Sequence, residues 1–124
     1  MKSFLLVFLG GGLGSALRYL VASAMNQYSK VLPFGTFTVN IIGCLLIGMI
    51  LGYAQRENTL TSNQTLLLAT GFCGGFTTFS AFANENLELI KNGEIFNFSV
   101  YTIGSILVGV LAVFIGFRSE EHTS

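Results

Sequence analysis

Apolar residues run along this chain in four long stretches that are separated by short polar segments. The stretches cover about residues 4–25, 34–53, 65–89 and 95–117. Each has roughly the 20 residues that an α-helix needs to cross the hydrocarbon core of a bilayer. The pattern therefore predicts an all-α integral membrane protein, with four transmembrane helices forming a single domain over residues 1–124.

The third stretch contains an unusual run of glycine, threonine and phenylalanine over residues 71–82. Two adjacent glycines, Gly74 and Gly75, are followed closely by Thr77 and Thr78. Glycine carries the largest backbone entropy cost in a helix, and threonine is stiff at χ1. We therefore predict that the third helix is broken near its middle. Carbonyl groups freed at membrane depth must be buried in protein, line a cavity or bind an ion, so this run is the predicted functional centre.

Composition agrees with a membrane protein and narrows the possible chemistry. Hydrophobic residues make up 52% of the chain and charged residues only 10%, far below the one quarter that is typical of soluble domains. Six basic residues balance six glutamates, and nothing in this charge distribution indicates a nucleic-acid partner. Cys44 and Cys73 both lie in apolar runs, which is typical of small packing residues rather than of a disulfide or zinc site.

The glycine-rich run over residues 10–14 of the first span is similar to the strand-to-helix turn of a dinucleotide-binding fold. That interpretation requires an acid about 20 residues further on to bind the ribose, and the first acid of the chain is Glu57. It therefore fails. Gly10 and Gly14 have the small-xxx-small spacing that lets two membrane helices approach closely, and we predict such a contact here.

Two spans carry polar residues at helical spacing. Thr36, Asn40 and Gly43 share one face of the second span, and a carboxamide at that depth either joins helices or belongs to a solute pathway. The residues alone favour the joining role. In the fourth span Tyr101, Ser105 and Gly109 recur every four residues and form a stripe that must face protein or water.

The distribution of basic residues does not specify an orientation. Four spans place both termini on the same side, and the basic residues near the membrane divide almost equally: Lys2, Arg56 and Arg118 on the terminal side, with Lys30, Lys91 and, by one count, Arg18 on the other. Such a weak bias allows insertion in both directions. The natural closed assembly is then a twofold dimer with its axis in the membrane plane.

At these positions the sequence resembles the Fluc (CrcB) family of fluoride channels. The resemblance covers the whole chain and is strongest in these segments: Arg18-Tyr19, Gly35-Thr36 followed by Asn40 and Gly43, and the run over residues 71–82. It implies passive, fluoride-selective efflux that lowers cytoplasmic fluoride. It also implies an antiparallel, dual-topology homodimer in the inner membrane of a bacterial cell, with two fluoride pathways and a structural sodium ion at the dimer centre.

The resemblance assigns roles to individual residues. The backbone carbonyls of Gly74 and Thr77, each supplied twice by the dimer, would bind sodium. Asn40, Phe79 and Phe82 would line the fluoride pathway. Further hydroxyl donors on that pathway would come from these residues: Ser80, Tyr101 and Ser105. Fluoride holds water tightly, so amide hydrogens and the positive edges of phenyl rings would have to replace that water.

The sequence is consistent with two roles for Arg18. It attracts anions at a vestibule of the fluoride pathway, or it anchors the first span by reaching the lipid headgroups.

Three other classes of function explain less of the sequence. A dual-topology, proton-coupled multidrug exporter requires a carboxylate in the middle of the first span. No acid precedes Glu57 in this chain. Glu85 and Glu88 lie toward the end of the third span. In a scaffold protein without transport, Asn40 and the polar stripe would serve only to join helices. An enzyme is disfavoured because the single histidine, His122, lies in the polar tail and has no evident nucleophile to activate.

Overall fold

The computed structural model describes residues 1–26, 33–56 and 60–121 of the chain, so Lys30, Glu57 and His122 lie outside the described residues. Four helices within these ranges are long and apolar enough to cross a membrane: Lys2–Met25, Phe34–Gln55, Ser62–Lys91 and Ile95–Glu120. The prediction of an all-helical chain with four membrane-spanning helices is confirmed.

Three of the spans are continuous α-helices. They are α1 over Lys2–Asn26, α2 over Phe34–Gln55 and, as the last helix of the chain, α5 over Ile95–Glu121. Each extends a few residues beyond the apolar stretch that predicts it.

The third span has a more varied backbone. Its first helix, α3, covers residues 62–76, and its second helix, α4, covers Phe79–Lys91. Most of α3, over Leu66–Cys73, has the wider π-helical hydrogen bonding that often marks functional sites. Between the two helices Thr77 (φ −87°, ψ 158°) and Thr78 (φ −149°, ψ 123°) are extended. The glycine pair itself stays helical, so the extended backbone follows the glycines and does not include them.

Side-chain caps explain where α3 and α4 begin. Thr61 and Gln64 form a capping box at the start of α3, with reciprocal hydrogen bonds of 3.1 and 3.0 Å. Thr78 is the N-cap of α4, because its hydroxyl accepts a hydrogen bond from the Ala81 N–H at 3.2 Å. The threonine that interrupts the span therefore also starts the next helix.

Glycines bring α1 against α3 and α2 against α5. A Cβ on Gly14 would clash with the Phe72 carbonyl oxygen and lie 2.8 Å from the Phe76 nitrogen. A Cβ on Gly116 of α5 would likewise lie 2.9 Å from the Met49 nitrogen of α2. Gly10 makes the same kind of contact as Gly14, so the predicted close approach of the first span is present. These backbone contacts define two helix pairs that support the site between them.

Candidate functional site

A groove of about 570 Å³ opens between α2, α3, α4 and α5, and its lining is mostly apolar. It brings together a large part of the predicted site: Asn40, Gly74, Thr77, Phe79, Phe82 and Ser105. The remaining predicted residues, Arg18, Ser80 and Tyr101, are not part of the lining.

Asn40 on α2 is joined to the extended segment by two hydrogen bonds. The Thr78 N–H donates to Asn40 Oδ1 at 2.7 Å, and Asn40 Nδ2 donates to the Thr78 carbonyl at 3.1 Å. In an unbroken helix the Thr78 N–H would instead reach the Gly74 carbonyl. The carboxamide therefore replaces helical hydrogen bonds that the extended backbone gives up. A primary amide has two N–H donors, so Asn40 keeps one donor beyond the pair of bonds to Thr78.

Phe79 and Phe82 differ strongly in their surroundings. Their ring centroids are 5.8 Å apart, with the planes tilted by 46°. Phe82 also packs on the Tyr101 ring at 5.1 Å, whereas Phe79 is 79% exposed in the single chain. Phe82 therefore lies in the packed wall of the groove, and Phe79 lies at its open side.

Backbone carbonyl groups are the candidate ligands for a cation. Among the described residues no group of three His, Cys, Asp or Glu side chains could hold a metal. The Thr77 N–H and hydroxyl both donate to the Cys73 carbonyl, at 3.0 and 2.9 Å. The Thr77 carbonyl accepts no hydrogen bond from any described residue, and the Gly74 carbonyl has lost the Thr78 N–H to Asn40. Two oxygens beside the interruption thus lack their normal helical donors.

Arg18 points into the protein. Its Nε donates to the Gly75 carbonyl at 3.0 Å, and the Ser15 hydroxyl approaches the same oxygen at 3.4 Å. A cation at the carboxyl end of a helix is stabilised by the helix dipole, and α3 ends at the next residue. Neither sequence interpretation of Arg18 included this contact with the end of α3.

Glu85 on α4 forms a hydrogen-bonded cluster that the sequence analysis did not predict. Its carboxylate accepts hydrogen bonds from the Thr36 hydroxyl at 2.7 Å and from the Tyr101 hydroxyl at 2.9 Å. Thr36 is 3% and Tyr101 5% exposed. The signal that could have found this group is an acid inside an apolar span, which is costly unless it has partners. Tyr101 donates to Glu85 in this structure and does not reach the groove.

The serines occupy contrasting positions. The Ser80 hydroxyl lies 3.2 Å from the Thr78 hydroxyl and is exposed. The Ser105 hydroxyl is buried and has no hydrogen-bond partner within the part of the chain that the structure describes. Ser105 also belongs to the lining, so an unpaired hydroxyl lies within the wall of the groove.

Together these features define a class: a small, multi-pass integral membrane protein whose helices surround a groove with polar groups at membrane depth. The model of the CrcB-like protein, Camphor Resistance (CrcB) family matches residues 5–117. This chain belongs to that family.

Individual relatives resemble it over nearly their whole length. The fluoride-specific ion channel FluC of Phocaeicola vulgatus is 48% identical over 122 residues, which cover 98% of this chain and 100% of the relative. Proteins of the same name from Flavobacterium psychrophilum and Bacteroides fragilis are 44% and 49% identical, each over 94% of both chains. These relatives are named as ion channels and not as enzymes.

Proposed function

We propose that this protein is a fluoride-selective channel that lets the anion leave the cell passively and so lowers cytoplasmic fluoride. The inner membrane of a bacterium is its proposed location. The observation that carries the proposal is the nearly full-length similarity to relatives named as fluoride-specific ion channels. The groove agrees with it, because its few polar groups include donors suited to a small anion.

The groove residues supply weak and separate interactions for a dehydrated anion. An unsolvated ion in a low-dielectric medium costs tens of kcal/mol by the Born estimate, so replacement donors are needed along the path. The second N–H of Asn40, the positive edges of the Phe79 and Phe82 rings and the Ser105 hydroxyl are such groups. Weak sites in succession favour passage over trapping.

The outer face of the third span supports a dimer. Thr70, Gly74, Ser80 and Asn84 are exposed in the single chain although they lie within a membrane span. Lipid cannot satisfy the side chains of Thr70, Ser80 and Asn84 or the extended backbone between α3 and α4, so we infer that protein covers this face. A second copy inserted in the opposite orientation would do so about a twofold axis in the membrane plane. The exposed Phe79 ring would then contact the partner as well.

A sodium ion would fit between two such copies. Hard cations prefer oxygen ligands, and the Gly74 and Thr77 carbonyls lack their normal helical donors. Twofold symmetry would present each carbonyl twice. When bound, the ion would supply positive charge that holds the two interrupted spans together. The residues present therefore fit a structural alkali cation.

Fluoride flux from reconstituted liposomes tests the proposed function. We expect the wild-type protein to release fluoride and to exclude chloride. Phe82→Ile should lower fluoride efflux by about tenfold, equivalent to about 1.4 kcal/mol of barrier, because an aliphatic side chain has no positive edge. Phe96→Ile, at an exposed ring on α5, is the matched control and should conduct normally. Equal fluoride and chloride flux would refute the proposal, and drug–proton exchange without fluoride flux would favour an exporter.

Exchange of sodium for N-methylglucamine tests the assembly and its cation together. Native mass measurement of the purified protein should find dimers in sodium and a larger share of monomers without it, because the carbonyl groups at the interface lose their counter-charge. A control exchange of chloride for nitrate in sodium should change nothing. Monomers under all conditions would overturn the dimer. A share of dimers that does not change with sodium would refute the structural ion but not the dimer.

A further inference from the structure

The polar stripe on α5 has no hydroxyl at position 109, where its residue is Gly109. The thiol of Cys44 on α2 lies next to this position. Tyr101 and Ser105 carry hydroxyl groups, but the next member of the stripe is Gly109. The Cys44 sulfur lies 3.6 Å from the place that a Cβ on Gly109 would occupy. The thiol is therefore adjacent to the volume that a side chain at position 109 would fill.

Cys44 also shares the groove with a hydroxyl that has no partner. Cys44, Ser105 and Gly109 all line the groove, together with Asn40 and Phe82. The Ser105 hydroxyl is buried and makes no hydrogen bond with the described residues. Cys44 is a free, half-buried cysteine, so its S–H is not committed to a disulfide. A free thiol on α2 and an unpaired hydroxyl on α5 therefore line the same groove.

We propose that Cys44 is a pathway residue of this channel, whose S–H donates a weak hydrogen bond to the passing fluoride where the stripe lacks a hydroxyl. The proposal rests on the fluoride-channel function and deepens it. A thiol is a weak donor and a small, adaptable apolar group, which suits a site that must release its anion. Because Cys44 lines the groove and is only half-buried, we expect thiol reagents to reach it.

A set of four proteins separates this role from simple packing. We expect Cys44→Ser to conduct fluoride at least as well as wild type, and Cys44→Val to conduct about fivefold less, the effect of one lost hydrogen bond. Cys44→Val combined with Gly109→Ser should recover most of the flux. The new Cβ is accommodated, because in the wild-type structure it would meet only the Cys44 sulfur at 3.6 Å and the Ile41 Cδ1 atom at 4.0 Å.

A purely structural role for Cys44 predicts the reverse order of the single variants. Serine would place an additional hydroxyl among apolar side chains and lower stability, whereas valine would be tolerated as a packing residue. Cys44→Val with wild-type flux, or Cys44→Ser with less flux than Cys44→Val, would overturn the proposal. Wild-type protein without fluoride flux would overturn the proposed function and this inference together, so the two failures are distinguishable.

Thiol modification supplies a second readout. The Cys44 thiolate attacks a methanethiosulfonate reagent, a new disulfide forms, methanesulfinate leaves, and the thiol proton passes to water. We expect the bulky adduct to reduce wild-type fluoride flux to about a tenth or less, equivalent to at least about 1.4 kcal/mol of barrier. Cys73→Ala should remain sensitive, because Cys73 is only 2% exposed, and Cys44→Val should resist the reagent. Equal sensitivity of Cys44→Val and wild type would contradict the assignment.

Discussion

Replacing Asn40 by alanine is expected to remove nearly all fluoride flux and to destabilise the folded chain at the same time. The carboxamide forms both hydrogen bonds to Thr78, at 2.7 and 3.1 Å, and its second N–H is a proposed donor to the anion. Alanine leaves the Thr78 N–H and carbonyl without partners at membrane depth. Each unsatisfied buried group costs about 1–3 kcal/mol, so the loss of stability is about 2–6 kcal/mol.

Asn40→Asp separates the two roles of the carboxamide. A carboxylate oxygen still accepts from the Thr78 N–H but cannot donate to the Thr78 carbonyl. The variant should therefore keep part of the stability that Asn40→Ala loses. Its negative charge repels an anion, so flux should fall as far as in Asn40→Ala.

The measurements are fluoride efflux from liposomes and thermal unfolding in detergent. Asn63→Ala, at an exposed asparagine near the start of α3, is the matched control for both. A stable Asn40→Ala protein that conducts at the wild-type rate would show that neither role is correct. Loss of stability with normal flux per folded channel would leave only the joining role.

Gly14→Ala is expected to prevent normal assembly of α1 with α3. The added Cβ would clash with the Phe72 carbonyl oxygen and lie 2.8 Å from the Phe76 nitrogen, and both atoms belong to backbone that cannot rotate away. Overpacking of a well-packed contact typically costs about 1–3 kcal/mol, and a clash with backbone belongs at the upper end of that range. The amount of protein that elutes as a single folded species should fall sharply.

Gly12→Ala is the matched control for this effect. Gly12 lies on the same helix, and a Cβ there would meet no atom within 4 Å in the single chain. The two variants add the same methyl group and change helix propensity equally, so they differ only in what the methyl group touches. Size-exclusion profiles and thermal unfolding of both proteins provide the comparison. Equal behaviour of the two variants would contradict the close helix contact.

Local helix propensity and tertiary contacts both determine where the third span is interrupted. Propensity marks residues 71–82 as a weak stretch of helix because glycines and threonines occur together. In the structure Gly74 and Gly75 remain helical, and Gly75 sits where a Cβ would clash with the Gly11 carbonyl oxygen of α1. The extended residues are Thr77 and Thr78, where Asn40 takes over the backbone hydrogen bonds. The glycines thus serve close packing, and the choice of extended residues depends on another helix.

By itself the sequence determined the four apolar spans, the close approach of Gly10 and Gly14 and the polar residues that need partners, because spacing and hydropathy act along the chain. It did not determine which partners those residues find. The contacts of Arg18 with the end of α3, and of Glu85 with Thr36 and Tyr101, join residues between 16 and 57 positions apart. Only the packing of the helices decides such pairs, since buried polar groups take whichever donors the neighbouring helices bring within reach.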